Sequence, residues 1–373
     1  MEGFPAAPEG YLDAVGGQPL IAAAAAAFTQ IQGDSWADPT SLHHAGRRAG
    51  LLVDAARASI ASSLSDLGPT RVFPDEVHFA SSVAEAGRSA VIGCPGPITV
   101  SAIETLSLLD HAAAAPGSTT VAVDALGRVD EQTLIHSSRQ SALVCLQAAN
   151  AEVGTLQPIA SVSAGIGAGI PLLMDAARLI ARSPIAAGWS ILMAAGRDGG
   201  GPAGLAILVV RRGTRWNPPS GAERGWLGGF PDIAAAVSAA TALEFLLPRW
   251  EAEAARAHRL IDEIRAAAAD ITDVQVHGDP INRLPHVATF SALYVDGEML
   301  VTELDRLGLS VASGSACVSE ESRPSHVLAA LGAFTGGNVR VSLPFGCTEE
   351  TVRRFIEALP IVITDARRQV LGP

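Results

Sequence analysis

The chain has 373 residues, 48% of them apolar and 17% charged, enough to bury the cores of two domains and too apolar for a disordered protein. A net charge of −12 excludes nucleic-acid binding as its main business. All 26 basic residues are arginine, so no side-chain amine is available to hold a carbonyl cofactor as an imine.

In chain order, short apolar runs alternate with helical patterns through the first half, predicting βαβ units around a mainly parallel sheet. Strands are expected at 76–80, 98–102, 119–123, 142–147, 172–175, 190–194 and 205–211. Helical periodicity fills several intervals, most clearly 45–64. From 231 to 271 the pattern is long, alanine-rich and helical, with a stop or kink at Pro248. Beyond it, 274–277, 287–294, 309–312 and 338–343 predict a smaller sheet, with helices at 297–307, 324–331 and 349–367. Residues 1–250 thus form a large α/β domain with an N-terminal segment, and residues 251–373 a small α+β domain.

The apolar run 21–28 is too short to span a bilayer, and no basic segment followed by an apolar stretch opens the chain. Cys94, Cys145, Cys317 and Cys347 form no CxxC pair and show no metal-ligand spacing. A reducing cytoplasm, without membrane or metal, is the expected setting. The low share of charged residues predicts that a partner subunit covers part of the surface.

Six segments in order then carry a resemblance. Tyr11-Leu12-Asp13 is similar to an opening Y-L-D. Asp38-Pro39-Thr40-Ser41-Leu42-His43-His44-Ala45-Gly46 is similar to N-P-S-S-x-H-x-x-G, and Asn150-Ala151-Glu152-Val153-Gly154 to N-N-E-V-G. Ala195-Gly196-Arg197-Asp198 with Gly201-Pro202-Ala203-Gly204 resembles A/S-G-H-K-x-x-G-P-x-G. Ser313-Gly314-Ser315-Ala316-Cys317 matches S-G-S-A-C, with Pro324-Ser325-His326 after it. Arg340-Val341-Ser342-Leu343 resembles R-x-S-L. Together, from Tyr11 to about Arg368, they resemble the cysteine desulfurases of the class V aminotransferase group. That family has the fold type I architecture of pyridoxal-phosphate enzymes, with a seven-stranded sheet in the large domain.

The resemblance implies a cofactor pocket with most of its contacts replaced. The Schiff-base lysine position reads Asp198 and the preceding histidine Arg197. A carboxylate forms no imine, and guanidinium stays protonated. The phosphate cup falls on 80–88, with Ser82 in place of a glycine and Ala84 in place of a threonine. The ring-stacking histidine falls on Glu104, a shift of one residue being left open. The second asparagine, after Asn150, is Ala151, and the glutamine that follows the pyridinium aspartate is Arg178. A partner-subunit threonine is missing from 223–231. Asp175 stands where the family's aspartate pairs with the pyridinium nitrogen, the alternative being a strand-end cap. Arg340 stands where the substrate carboxylate binds, the alternative being a structural ion pair. Cys317 stands where the family carries a persulfide, the alternative being inheritance without use. Cys94, Cys145 and Cys347 are expected to pack, and His43, His44 and His326 to be structural.

The reading that follows is a desulfurase-like pseudoenzyme with no covalent cofactor, ancestral pyridoxal phosphate having been lost. It pairs with itself or with an active desulfurase and handles sulfur through Cys317 toward an acceptor protein. Two alternatives stay open. One is a lysine-independent desulfurase or aminotransferase-like enzyme that binds pyridoxal or pyridoxamine phosphate non-covalently. The other is an anion- or ligand-sensing module built on Arg178, Arg197 and Arg340.

Overall fold

The computed structural model describes residue 4 and residues 6–219, 225–313 and 324–371. Seven strands, β1 (Val77–Ala80), β2 (Ile98–Ser101), β3 (Thr119–Val121), β4 (Leu143–Gln147), β5 (Leu172–Asp175), β6 (Ile191–Ala195) and β7 (Ala206–Val210), form one sheet in the order β1-β7-β6-β5-β4-β2-β3. From β6 to β3 every pairing is parallel, whereas β7 runs antiparallel to both of its neighbours. The expected mainly parallel seven-stranded sheet is therefore present. Strands β4 to β7 are buried at every position, which is why they read as unbroken apolar runs: helices cover both faces of a parallel sheet.

Three further strands, β8 (Val274–Val276), β9 (Val287–Ala292) and β10 (Asn338–Ser342), make a small antiparallel sheet in the order β10-β9-β8. It packs with helices Trp250–Ala269, Gly297–Arg306 and Glu349–Leu371 around a second apolar core. Leu12, far away in sequence, belongs to that core. The strand expected at 309–312 is not a ladder strand. Its residues make single bridges, Ser310 to Tyr11 and Ala312 to Arg340, because the N-terminal segment and β10 each claim one end of it.

Helix boundaries follow local chemistry. His43 caps helix His44–Asp66, its Nδ1 accepting the Gly46 N–H at 3.1 Å, and Asp232 caps helix Ile233–Leu246 by accepting the Ala235 N–H at 2.9 Å. The expected interruption at Pro248 separates that helix from Trp250–Ala269 with a bend of 75°, since proline lacks the N–H a continuous helix needs. Among the described residues no single helix is long and apolar enough to cross a membrane.

Candidate active site

Parallel strands deliver their side chains to the carboxyl edge of the sheet, where crevices form. Here the ends of β1, β4, β5 and β6 meet at a cavity of about 390 Å³. Ser81 to Ala84, Thr105, Gln147, Ala151, Asp175, Arg178, Arg197 and Asp198 are among its lining residues. Ser81 and Ser82 lead into helix Val83–Gly93. Ser82 spends its Oγ on the Glu85 N–H at 3.1 Å, and Ala84 has no hydroxyl to offer.

Asp175 closes β5 and pairs in register with Gln147 at the end of β4. Its Oδ1 accepts the Ala177 N–H at 2.9 Å, so it caps a turn and not a helix, and it still faces the cavity. Burial lifts its carboxyl to about 6, against the pull of the Ala177 N–H and the Arg178 charge.

Asp198 sits in the short 3₁₀ turn Gly196–Gly199, just after β6. Arg178 Nη1 donates to its Oδ1 at 2.8 Å, and Arg197 Nε stands 3.7 Å from the same oxygen. Burial raises the Asp198 carboxyl above its ordinary value while Arg178 and then Arg197 oppose the rise. One carboxylate is therefore shared by two guanidinium groups. With these residues on its floor the cavity offers no group able to form an imine, and an aldehyde cofactor held in that way does not fit it.

The placement of Glu104 needs correction. It is 1% exposed and turned away from the cavity, its Oε1 accepting the Gln147 N–H. The neighbouring Thr105 lines the cavity instead, which is the one-residue shift that the sequence left open. Burial, followed by the nearby Asp175 charge, pushes the Glu104 carboxyl up to about 8. Asn150 likewise stays out of the cavity. Its Oδ1 accepts the N–H groups of Glu152 and Val153, both at 2.9 Å, and this turn holds Ala151 against the cavity wall.

Arg340 is not among the lining residues. Its Nη2 pairs with Asp13 Oδ1 at 2.9 Å, which is the structural ion pair left open by the sequence. Asp13 lies in the Tyr11-Leu12-Asp13 segment, to which sequence reasoning assigned no role at the site. Arg178 Nη1 also donates to the Val15 carbonyl at 2.8 Å, and Arg197 Nη1 to the Gly16 carbonyl at 2.9 Å. Residues 13–16 thus engage all three arginines that had been grouped as an anion site. Two of these contacts go to backbone carbonyls, which no side-chain pattern signals.

Cys317 lies outside the described residues, as do Glu223 and Arg224. The flanks of 314–323 are fixed at the site. Ser313 Oγ donates to Asn338 Oδ1 at 3.1 Å, and Ala312 exchanges backbone hydrogen bonds with Arg340. On the other side Ser325 Oγ donates to Glu152 Oε2 at 2.7 Å, and His326 Nε2 lies 3.1 Å from the Glu104 carbonyl oxygen. The other three cysteines are buried. Burial raises the thiols of Cys94 and Cys347 to about 11 and that of Cys145 well above the ordinary value, so they pack and do not react.

The sheet order, the cavity at its carboxyl edge and the small C-terminal sheet define the architecture of the fold type I pyridoxal-phosphate transferases. The aminotransferase class-V family model matches residues 11–355, and the chain belongs to that family. It is 32% identical over 395 residues to the IscS-like cysteine desulfurase of Mycobacterium tuberculosis, covering 97% of this chain and 98% of that one. It is 30% identical over 378 residues to cysteine desulfurase IscS 1 of Archaeoglobus fulgidus, covering 96% and 97%. The NifS-like protein from Rickettsia africae shares the fold, with a TM-score of 0.85, 23% identity, and coverage of 96% of this chain and 100% of that one.

Proposed function

We propose that this protein is a cysteine-desulfurase-like pseudoenzyme, a dimeric cytoplasmic partner or regulator in sulfur transfer that carries no covalent pyridoxal phosphate. The observation behind this reading is Asp198. It takes the place that the resemblance gives to the Schiff-base lysine, it is ion-paired to Arg178 at 2.8 Å, and the chain contains no lysine at all. A carboxylate fixed by a guanidinium supplies neither an imine nor a mobile amine to shuttle protons.

What remains suits protein partnership better than turnover. The residues on either side of 314–323 are tethered to Arg340, Glu152 and Glu104. Cys317 accepts sulfur as a persulfide from an active desulfurase and passes it to an acceptor protein. Incubation of wild type and Cys317→Ser with an active desulfurase and cysteine tests this role. A persulfide that forms on wild type and is absent from the variant supports it, and equal sulfur transfer by both proteins removes Cys317 from the mechanism.

A further inference from the structure

Arg178 and Asp198 also line a second, much smaller cavity. It is lined by Ala14, Val15, Gln18, Arg178, Arg182, Asp198 and His286 and has a volume of about 10 Å³. All of these residues but Arg178 are more than nine-tenths buried, Arg182, His286 and Asp198 among them. Arg182, Asp198 and His286 each have one buried polar atom without a hydrogen-bond partner among the described residues, namely Nη1, Oδ2 and Nδ1. A single orphan of this kind is costly. Three around one cavity point to a shared occupant.

The chemistry of the lining selects that occupant. Arg182 can only donate and the Asp198 carboxylate can only accept, so the occupant must do both. Asp198 Oδ1 is already engaged by Arg178, which leaves Oδ2 for the cavity. The volume has room for about one water centre, and a buried water commonly makes about three hydrogen bonds. We infer that this cavity is a binding site for one structural water, which accepts from Arg182 Nη1, donates to Asp198 Oδ2 and bonds His286 Nδ1.

The water site is a junction between the two sheets. Arg182 Nη2 donates to Gln18 Oε1 at 2.9 Å and to the Leu343 carbonyl at 3.1 Å, and its guanidinium lies 3.5 Å from the centre of the Phe345 ring. The Leu343 N–H donates to the His286 carbonyl at 2.9 Å. His286 immediately precedes β9, and Leu343 immediately follows β10. Asp198, at the edge of the large sheet, is thereby joined through one water to the base of the small sheet. This inference stands on the geometry and is independent of the pseudoenzyme reading.

A crystal structure of the wild-type chain at a resolution that reveals ordered water, with a parallel bromide soak, tests it. The expected result is one solvent peak within hydrogen-bond distance of all three atoms and no anomalous bromide signal. A bromide peak, no solvent peak, or direct contact among the three side chains overturns it. Magnetic relaxation dispersion in solution gives a second readout: Asp198→Leu loses one long-lived internal water relative to wild type, whereas an unchanged count also overturns the inference.

Discussion

Arg178 and Asp198 stand 20 residues apart in sequence and meet at 2.8 Å on the floor of the cavity, where Arg178 is also anchored to the Val15 carbonyl. Asp198 is 9% exposed, so its carboxylate is committed to the guanidinium groups around it. Arg178, Arg182 and Arg197 all act on it electrostatically. A lysine at this position would place an ammonium among three like charges.

Asp198→Lys is therefore expected to destabilise the protein by about 3 kcal/mol, the scale of a broken buried pair. The variant gains no imine chromophore with pyridoxal phosphate. Chemical denaturation and an absorbance scan check both parts. A stable variant with a bound imine would show that position 198 is still adapted to an amine.

The pH dependence of stability reports on Glu104. Its carboxyl moves from the ordinary 4.5 to about 8 in the folded chain, so between these limits the folded state holds a proton that the unfolded state has released. The associated stability is complete below about pH 4.5 and is lost as the pH rises toward 8. Between pH 6 and 8 this group alone contributes a loss of about 2 kcal/mol, as a two-unit span of that window implies. It is opposed by His78, His277 and His286, which burial keeps neutral in the folded chain. Glu104→Gln removes this contribution, so urea denaturation at the two pH values should show the variant gaining about 2 kcal/mol relative to wild type as the pH rises. An unchanged slope in the variant would place the titrating group elsewhere.

Release of Arg340 depends on Asp13. The pair is 2.9 Å long with side-chain exposures of 8% and 23%, and Arg340 Nε has no hydrogen-bond partner among the described residues. Asp13→Asn should free the guanidinium for small anions. Thermal-shift titration with sulfate is expected to stabilise the variant in a concentration-dependent way and leave wild type unmoved. Equal stabilisation of both would mean that residues 13–16 do not block the arginines.

The sequence was most legible where pattern and packing coincide. The buried strands β4 to β7 announced themselves as continuous apolar runs, and Pro248 marked the bend between two helices. Asp175, Arg178, Arg197 and Asp198 were placed on one cavity by motif order. Legibility failed where backbone atoms do the work. Residues 309–312 look like a strand by composition but are shared between two partners. The Val15 and Gly16 carbonyls, which hold Arg178 and Arg197, carry no side-chain signature. Glu104 and Thr105 exchanged places because a shift of one residue swaps a core-facing side chain for a cavity-facing one. Arg182 and His286 lay outside every motif, and their burial against Asp198 emerges only from the fold.

The most direct test of the central claim uses the protein purified with excess pyridoxal phosphate, freed of unbound cofactor, and scanned for absorbance alongside a cysteine-to-alanine sulfide-release assay. The account predicts no retained imine chromophore and no sulfide above the protein-free control. Retained chromophore together with sulfide release would contradict it and establish catalysis without a lysine.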